Sequence, residues 1–365
     1  MSALFSSLSL AGLTLSNRLV VSPMCQYSAD DGCANDWHLM HLGMLANSGA
    51  AMVVVEATHV ERAGRITHGC LGLYSDDNEA ALARVLASAR RAGTAKFGIQ
   101  IAHSGRKGSA QKPWEGPVAL KQGADPWETI AASPLPFGDN WHTPREATEA
   151  DMNRVRDAFV NSVKRALRIG FEEIELHMAH GYFLHGFMSP LSNKRTDQYG
   201  GSFENRMRYP LSVAKAVRAV VPKGVPLGAR ITGSDWREGG LTQDDAVAIA
   251  RLLKAEGLDF LCVSSGGVQA DIRNPAEPGY NVAVAARIRQ EVGIPIRTVG
   301  LILTAEQAED IVASGKADMV AAGRIFLDDP HWGWHIAKAL KADVPRPVQY
   351  ARAGPALWAP AAAKA

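Results

Sequence analysis

Cysteine is scarce in this sequence: four residues, Cys25, Cys33, Cys70 and Cys262, in a chain of 365, with no CxxC pair among them. Four scattered thiols argue against a disulfide framework and suit a reducing compartment, so the expected location is the cytoplasm. A dominant charge sign is missing too. Lys and Arg number 39 against 37 Asp and Glu, and like charges never run together in a block. A nucleic-acid or membrane-surface partner needs a basic face or stripe, and neither partner is expected. No stretch approaches the roughly 18 apolar residues of a membrane span. The opening MSALFSSLSLAGLTLSNRLV shows neither a basic leader nor a clear small-residue cleavage site. No GxGxxG opens a helix after a strand and no GxxxxGKS/T occurs, so a Rossmann dinucleotide site and a P-loop are both unsupported. No repeat of solenoid length is visible.

What the chain does have is a rhythm. Short, β-branched apolar runs recur at 18–24 (RLVVSPM), 50–58 (AAMVVVEAT), 97–103 (FGIQIAH) and 171–179 (FEEIELHMA). Four more follow at 226–232 (PLGARIT), 258–266 (LDFLCVSSG), 294–300 (IPIRTVG) and 317–323 (ADMVAAG). Near-continuous apolar strands bounded by Gly and Pro read as parallel strands buried on both faces. Helical patterns separate them, one opened by Glu149 or Asp151, another by Thr242, each ending at a glycine. Length alone suggests two domains, yet α/β barrels run this long as one unit. Eight strand–helix units predict an α/β fold of (β/α)8 TIM-barrel type: a single domain over 1–352 with a tail at 353–365. The Pro-, Gly- and Trp-rich segment 104–149 is expected to be a long loop after strand three, covering one barrel end.

Barrel active sites form at the C-terminal ends of the strands. Those ends carry Ser22-Pro23-Met24-Cys25, Ala57-Thr58, Gln100 with His103 beyond, His177 and His180, Arg230, Ser264 to Gly267, Gly300, and Gly323-Arg324. The last two ends, bare backbone plus one cation, suit a phosphate. Arg230, late in an apolar strand, needs a negative partner: Glu175, Glu56 or the electron-rich edge of a cofactor.

The stretch ELHMAHGYFLHG (175–186) sets His177 three residues before His180 and Tyr182 two further on. A metal reading needs a third donor, and HxxH is not the HExxH motif. Residues three apart on a regular strand face opposite sides. The two imidazoles therefore converge only if the strand ends near Met178–Ala179, which Gly181 permits; His185 is left as an ordinary loop or helix residue. A second reading is a structural pair. A third has two N–H donors receiving one oxygen while Tyr182 gives a proton, which calls for a hydride-donating cofactor. A metal-dependent barrel hydrolase and a barrel that binds its cofactor or a ligand without turnover stand as alternatives.

PMCQYSADDG (23–32), HMAHGYFLHGFMSPLSNKRTDQYGGSFENR (177–206), Gly323-Arg324 and PVQYAR (347–352) together resemble the Old Yellow Enzyme family of FMN-dependent ene-reductases, most of all its bacterial thermophilic-like branch. The resemblance implies an FMN cofactor reduced by NADPH or NADH. It assigns Ser22, Pro23, Met24, Cys25, Ala57, Gln100 and Arg230 to the flavin ring, with Arg230 favouring the anionic reduced form, and Gly300, Gly323 and Arg324 to its phosphate. It further implies that His177 and His180 bind the activating oxygen of an enone or nitro substrate. Tyr182 would protonate it, Cys25 would tune the flavin, and Tyr27 would line the pocket. A homodimer or homotetramer is implied, with Arg352, or alternatively Trp358, reaching a neighbouring site. The Ala-rich extension past Arg352 departs from the family pattern.

Overall fold

The computed structural model describes residues 1–116, 118–353 and 358. Its centre is a closed barrel of eight parallel strands. They are β1 (Leu19–Val21), β2 (Met52–His59), β3 (Lys96–Ala102) and β4 (Glu173–Met178). β5 (Leu227–Thr232), β6 (Phe260–Ser264), β7 (Ile296–Val299) and β8 (Met319–Ala322) complete it. Each strand pairs with its sequence neighbours, and β8 closes on β1 through Val320–Leu19, Ala321–Val20 and Ala322–Val21. Every predicted strand is present, and the single barrel fold stands as expected.

The strands read as near-continuous apolar runs because both faces are buried. Outward side chains pack against the surrounding helices in one large core. Inward ones at the N-terminal end, Val20, Met52, Phe260, Met319 and Ala321, form a separate apolar cluster with Leu10, Leu13 and Leu15. Those leucines belong to an antiparallel hairpin, Leu8–Leu10 paired with Leu13–Leu15, that plugs this end. This apolar plug closes the N-terminal end of the lumen.

One local expectation is corrected. The helix Glu149–Arg168 is opened by Thr148 rather than Glu149 or Asp151. The Thr148 hydroxyl accepts the Asp151 N–H at 3.2 Å, and the Asp151 carboxylate accepts the Thr148 N–H at 2.9 Å. Asp151 is thus the third residue of a capping box, which its charge alone does not reveal. Thr242 opens the helix Gln243–Ala255 by the same device, as expected.

The long segment after β3 is pinned down. It starts with a 3-10 turn at Gly105–Lys107 and carries a two-residue parallel pairing of Ile130–Ala131 with Arg145–Glu146. Buried Arg106 donates to the carbonyls of Leu135 and Pro136, each at 3.2 Å, and to that of Val268 in the loop after β6. The segment is thereby tied across the C-terminal mouth. Of the expected tail, residues 354–357 and 359–365 lie outside the described residues; Arg352 and Trp358 are exposed.

Candidate active site

Along β4 the alternation places Glu173, Glu175 and His177 on one face, toward the lumen. The strand ends at Met178, and the chain turns through two left-handed residues, His180 (φ 60°) and Gly181 (φ 74°). That turn carries His180 back over His177, leaving Nδ1 of His180 3.3 Å from Nε2 of His177. The sequence expectation of a strand end and a glycine-permitted turn is what the structure shows.

A left-handed non-glycine residue is strained and needs neighbours that hold it. Here the Lys107 ammonium donates to the carbonyls of His180 (2.8 Å) and Gly267 (3.2 Å), stapling two loops together. The Gly181 N–H donates to Nδ1 of His185 at 2.7 Å. His185 is not an ordinary helix residue. It is fully buried, with Nε2 3.2 Å from Oδ1 of equally buried Asp235. Because Nδ1 accepts, the imidazole proton sits on Nε2 and faces the carboxylate. Burial alone would raise the Asp235 carboxyl; His185, the Ser189 hydroxyl and the Leu241 N–H hold it below the usual carboxylate range.

The tautomers at the mouth follow from the same reasoning. Nδ1 of His177 accepts the Ala179 N–H at 3.3 Å, so its proton lies on Nε2 and points at His180. Nε2 of His180 then donates to the Ser264 hydroxyl at 2.7 Å. Burial, then for His177 the neighbouring His180, and for both Arg230 and Lys107, pushes the two imidazoles well below the usual histidine range, and they are neutral. Tyr182 stands edge-on to His177, ring centroids 4.7 Å apart at 87°. Burial, then the Cys25 and Cys70 thiols, raises its phenol well above 10, so it is protonated. Lys107 lies 4.8 Å from the same ring; burial and adjacent Arg106 push its ammonium down to about 7. Cys25, Tyr27 and Tyr182 pack together with Ile66, Cys70, Ala110 and Trp141. Burial and Glu56 keep Cys25 a thiol.

Below the histidines, Arg230 pairs in register with His177 on one side and Cys262 on the other. Its Nη2 donates to the Ser22 hydroxyl at 3.2 Å, and its Nε lies 3.4 Å from Oε1 of Glu175. Of the two carboxylates considered for it, Glu175 is the partner; Glu56 faces His38 at 3.4 Å instead. The ion pair lacks hydrogen-bond alignment, and the Arg230 Nε is left buried and unsatisfied. Gln100 donates to the same Glu175 oxygen at 2.7 Å. Glu173 and Arg297 lie deeper, both fully buried and joined at 2.6 and 2.9 Å.

Sequence reasoning missed Glu173, Arg297, Lys107 and Asp235. The period-two pattern in EEIELH pointed to Glu173; no local pattern marked the others.

The residues expected to hold a flavin fit one. Ser22 to Cys25 are gathered at the end of β1, next to Ala57, Gln100 and Arg230, and the orphaned Arg230 Nε awaits an acceptor. At the neighbouring strand ends, Gly300 has φ 134°, and a Cβ there would meet Asn281 Nδ2 at 2.9 Å. Gly323 faces only Met24 and Ser22, at 3.4 Å and beyond. Exposed Arg324 follows it. Glycine backbone at two adjacent strand ends with a cation after the second is compatible with a phosphate. Arg352 is an exposed residue of the 3-10 turn Val348–Ala353. Among the described residues no group of three or more His, Cys, Asp or Glu gathers as a metal site, and no helix is long and apolar enough to cross a membrane.

Residues 3–343 match the NADH:flavin oxidoreductase / NADH oxidase family. The chain is 42% identical over 351 residues to the NADPH dehydrogenase of Geobacillus thermodenitrificans (strain NG80-2), covering 96% of this chain and 98% of that protein. It is 38% identical over 355 residues to the NADPH dehydrogenase of Listeria innocua serovar 6a, covering 97% and 99%. Among solved structures, morphinone reductase superposes with a TM-score of 0.77 at 25% identity, across 95% of this chain and 91% of that one. A morphinone reductase mutant in complex with tetrahydroNAD gives 0.75 at 25% identity, across 95% and 93%. The chain is an oxidoreductase of the NADH:flavin oxidoreductase / NADH oxidase family, the Old Yellow Enzyme family of FMN proteins served by a nicotinamide reductant.

Proposed function

We propose that the barrel mouth is the active site of an ene-reductase of the thermophilic-like branch, acting on α,β-unsaturated carbonyl or nitro compounds. Bound FMN would supply the hydride chemistry, with NADPH or NADH as the reductant and the substrate β-carbon as the acceptor. Ser22, Pro23, Met24, Cys25, Ala57, Gln100 and Arg230 would hold its ring, and Gly300, Gly323 and Arg324 its phosphate.

The observation that carries the reading is the convergence of His177, His180 and Tyr182 on one point. The Nε2–H of His177, given to His180 in the structure, is a donor that an incoming carbonyl or nitro oxygen can take over. His180 would add a second donor by changing tautomer, its proton on Nδ1 and its Nε2 accepting the Ser264 hydroxyl, so that two neutral imidazoles held by Ala179 and Ser264 stabilise charge growing on that oxygen. Tyr182, protonated and edge-on to His177, would give its hydroxyl proton to the α-carbon. A phenol is a weak acid, but an enolate carbon is a strong base. Tyr27 and Trp141 pack in one cluster with Tyr182 and would limit water at this point. The nicotinamide partner finds support in the relatives named NADPH dehydrogenase. A single barrel over 1–352, a homodimer or homotetramer with Arg352 at a neighbouring mouth, and a cytoplasmic setting for the four unpaired cysteines complete the proposal.

Purified protein tests it directly. It should be yellow, bleach anaerobically with NADPH, and regain colour when 2-cyclohexenone is added. A colourless protein holding stoichiometric zinc, or a bleached one that enones leave bleached, overturns the proposal.

A further inference from the structure

Barrel lumens are usually filled by branched apolar residues, yet this one carries a second ion pair beneath Arg230. Arg297 on β7 reaches across the lumen to β4, its guanidinium bidentate on Glu173 at 2.9 and 2.6 Å. The same guanidinium lies 3.4 Å from Oε2 of Glu175 and 4.6 Å from the Phe260 ring centroid. Neither Glu173 nor Arg297 is exposed at all. A buried ion pair is seldom better for stability than apolar residues of the same volume, so its presence here is not explained by stability.

The geometry explains it another way. Glu175 is shared between two arginines: Oε1 faces Arg230 and Gln100, and Oε2 faces Arg297. Arg297 therefore draws part of the Glu175 charge away from Arg230, and Glu173 limits how much by neutralising Arg297. The four side chains form a line of alternating charge, Glu173, Arg297, Glu175, Arg230, that ends at the mouth. In a water-excluded lumen such charges act on one another far more strongly than in solvent.

We infer that Glu173 and Arg297 are positioning residues that set the reduction potential of the bound flavin, acting through Glu175 on the charge that Arg230 presents to the mouth. The inference rests on the placing of the flavin ring against Arg230 proposed above. Reduction places electron density on the ring, so a more positive mouth raises the potential. Arg297→Met frees Glu175 to neutralise Arg230 and shifts the potential downward. Glu173→Gln leaves Arg297 unneutralised and shifts it upward. Arg297→Lys keeps the charge and stays closest to the wild type.

The test is the midpoint potential of each FMN-saturated variant, measured by anaerobic spectroscopic titration against reference dyes at one pH. A downward shift for Arg297→Met with an upward one for Glu173→Gln supports the inference, since loosened packing has no reason to reverse sign between partners of one pair, and the reverse pair of signs overturns it. Shifts of the same sign, or none in either, overturn it. If a single variant cannot be purified with FMN, the Glu173→Gln/Arg297→Met double variant carries the test. Its potential should fall, because Arg297 no longer competes for Glu175; a wild-type value overturns the inference. Arg230→Met separates the two readings. A potential unmoved by Arg230→Met removes the proposed flavin placement. A potential that Arg230→Met moves while both deeper variants leave it fixed removes only this inference.

Discussion

Gly181→Ala puts the turn that builds the donor pair under direct load. Gly181 has φ 74°, and a Cβ there would lie 2.9 Å from Val268 Cα and nearer still to the Gly267 carbonyl. The left-handed conformation costs an L-residue about 1–2 kcal/mol. Forcing a methyl into packed backbone adds about 1–3 kcal/mol. The chain can bear this sum of about 2–5 kcal/mol as lost global stability. Alternatively it can open the turn, breaking the Gly181–His185 hydrogen bond of 2.7 Å and carrying His180 away from His177. A displacement of about 1 Å at a reacting centre is enough to cost about 100-fold in rate. Urea unfolding at fixed free FMN reads the first outcome, because bound cofactor shifts apparent stability. Binding of a phenol to the oxidised enzyme, with enone turnover, reads the second. Unchanged unfolding together with unchanged phenol affinity would refute the claim that this glycine shapes the site.

Four other substitutions address single groups. Tyr182→Phe should slow reoxidation by 2-cyclohexenone by about 10²- to 10⁴-fold, the range of a positioned general acid, while leaving bleaching by NADPH near its original rate; equal slowing of both half-reactions removes the proton-donor role. His177→Ala and His180→Ala should each weaken phenol binding by about 10- to 100-fold, as expected for a hydrogen bond to a charged oxygen, and retained affinity in both variants argues against an oxygen site. Lys107 titrates at about 7 in the folded chain and near 10 when unfolded. Between those values the unfolded chain binds a proton that the folded one does not, so this group makes stability rise with pH across the window. Lys107→Met should flatten that rise in urea midpoints taken from pH 6 to 10, and an unchanged slope means the ammonium is not depressed.

The eight strands were legible because burial on both faces leaves an apolar run that needs no knowledge of its partners. The convergence of His177 and His180 was legible from strand periodicity, since only a strand end and a permissive glycine could bring them together. The Thr148 cap was misread because Glu149 and Asp151 draw attention by charge, whereas the hydroxyl one residue earlier makes the bond. His185 was passed over because its partner, Asp235, is 50 residues away and meets it only when the loop after β5 folds over β4. Arg297 was missed for a similar reason: β7 and β4 are not hydrogen-bonded neighbours, and a contact across a closed lumen has no spacing in the chain.

The sequence by itself determined the barrel and the end of it where chemistry gathers, since both rest on local periodicity and on which residues terminate each run. Tertiary structure decided which charges meet, which imidazole nitrogens carry protons, and how far the phenol and thiol are pushed from their ordinary ionisation. Those outcomes depend on distance and exclusion of water, which exist only once the strands have closed.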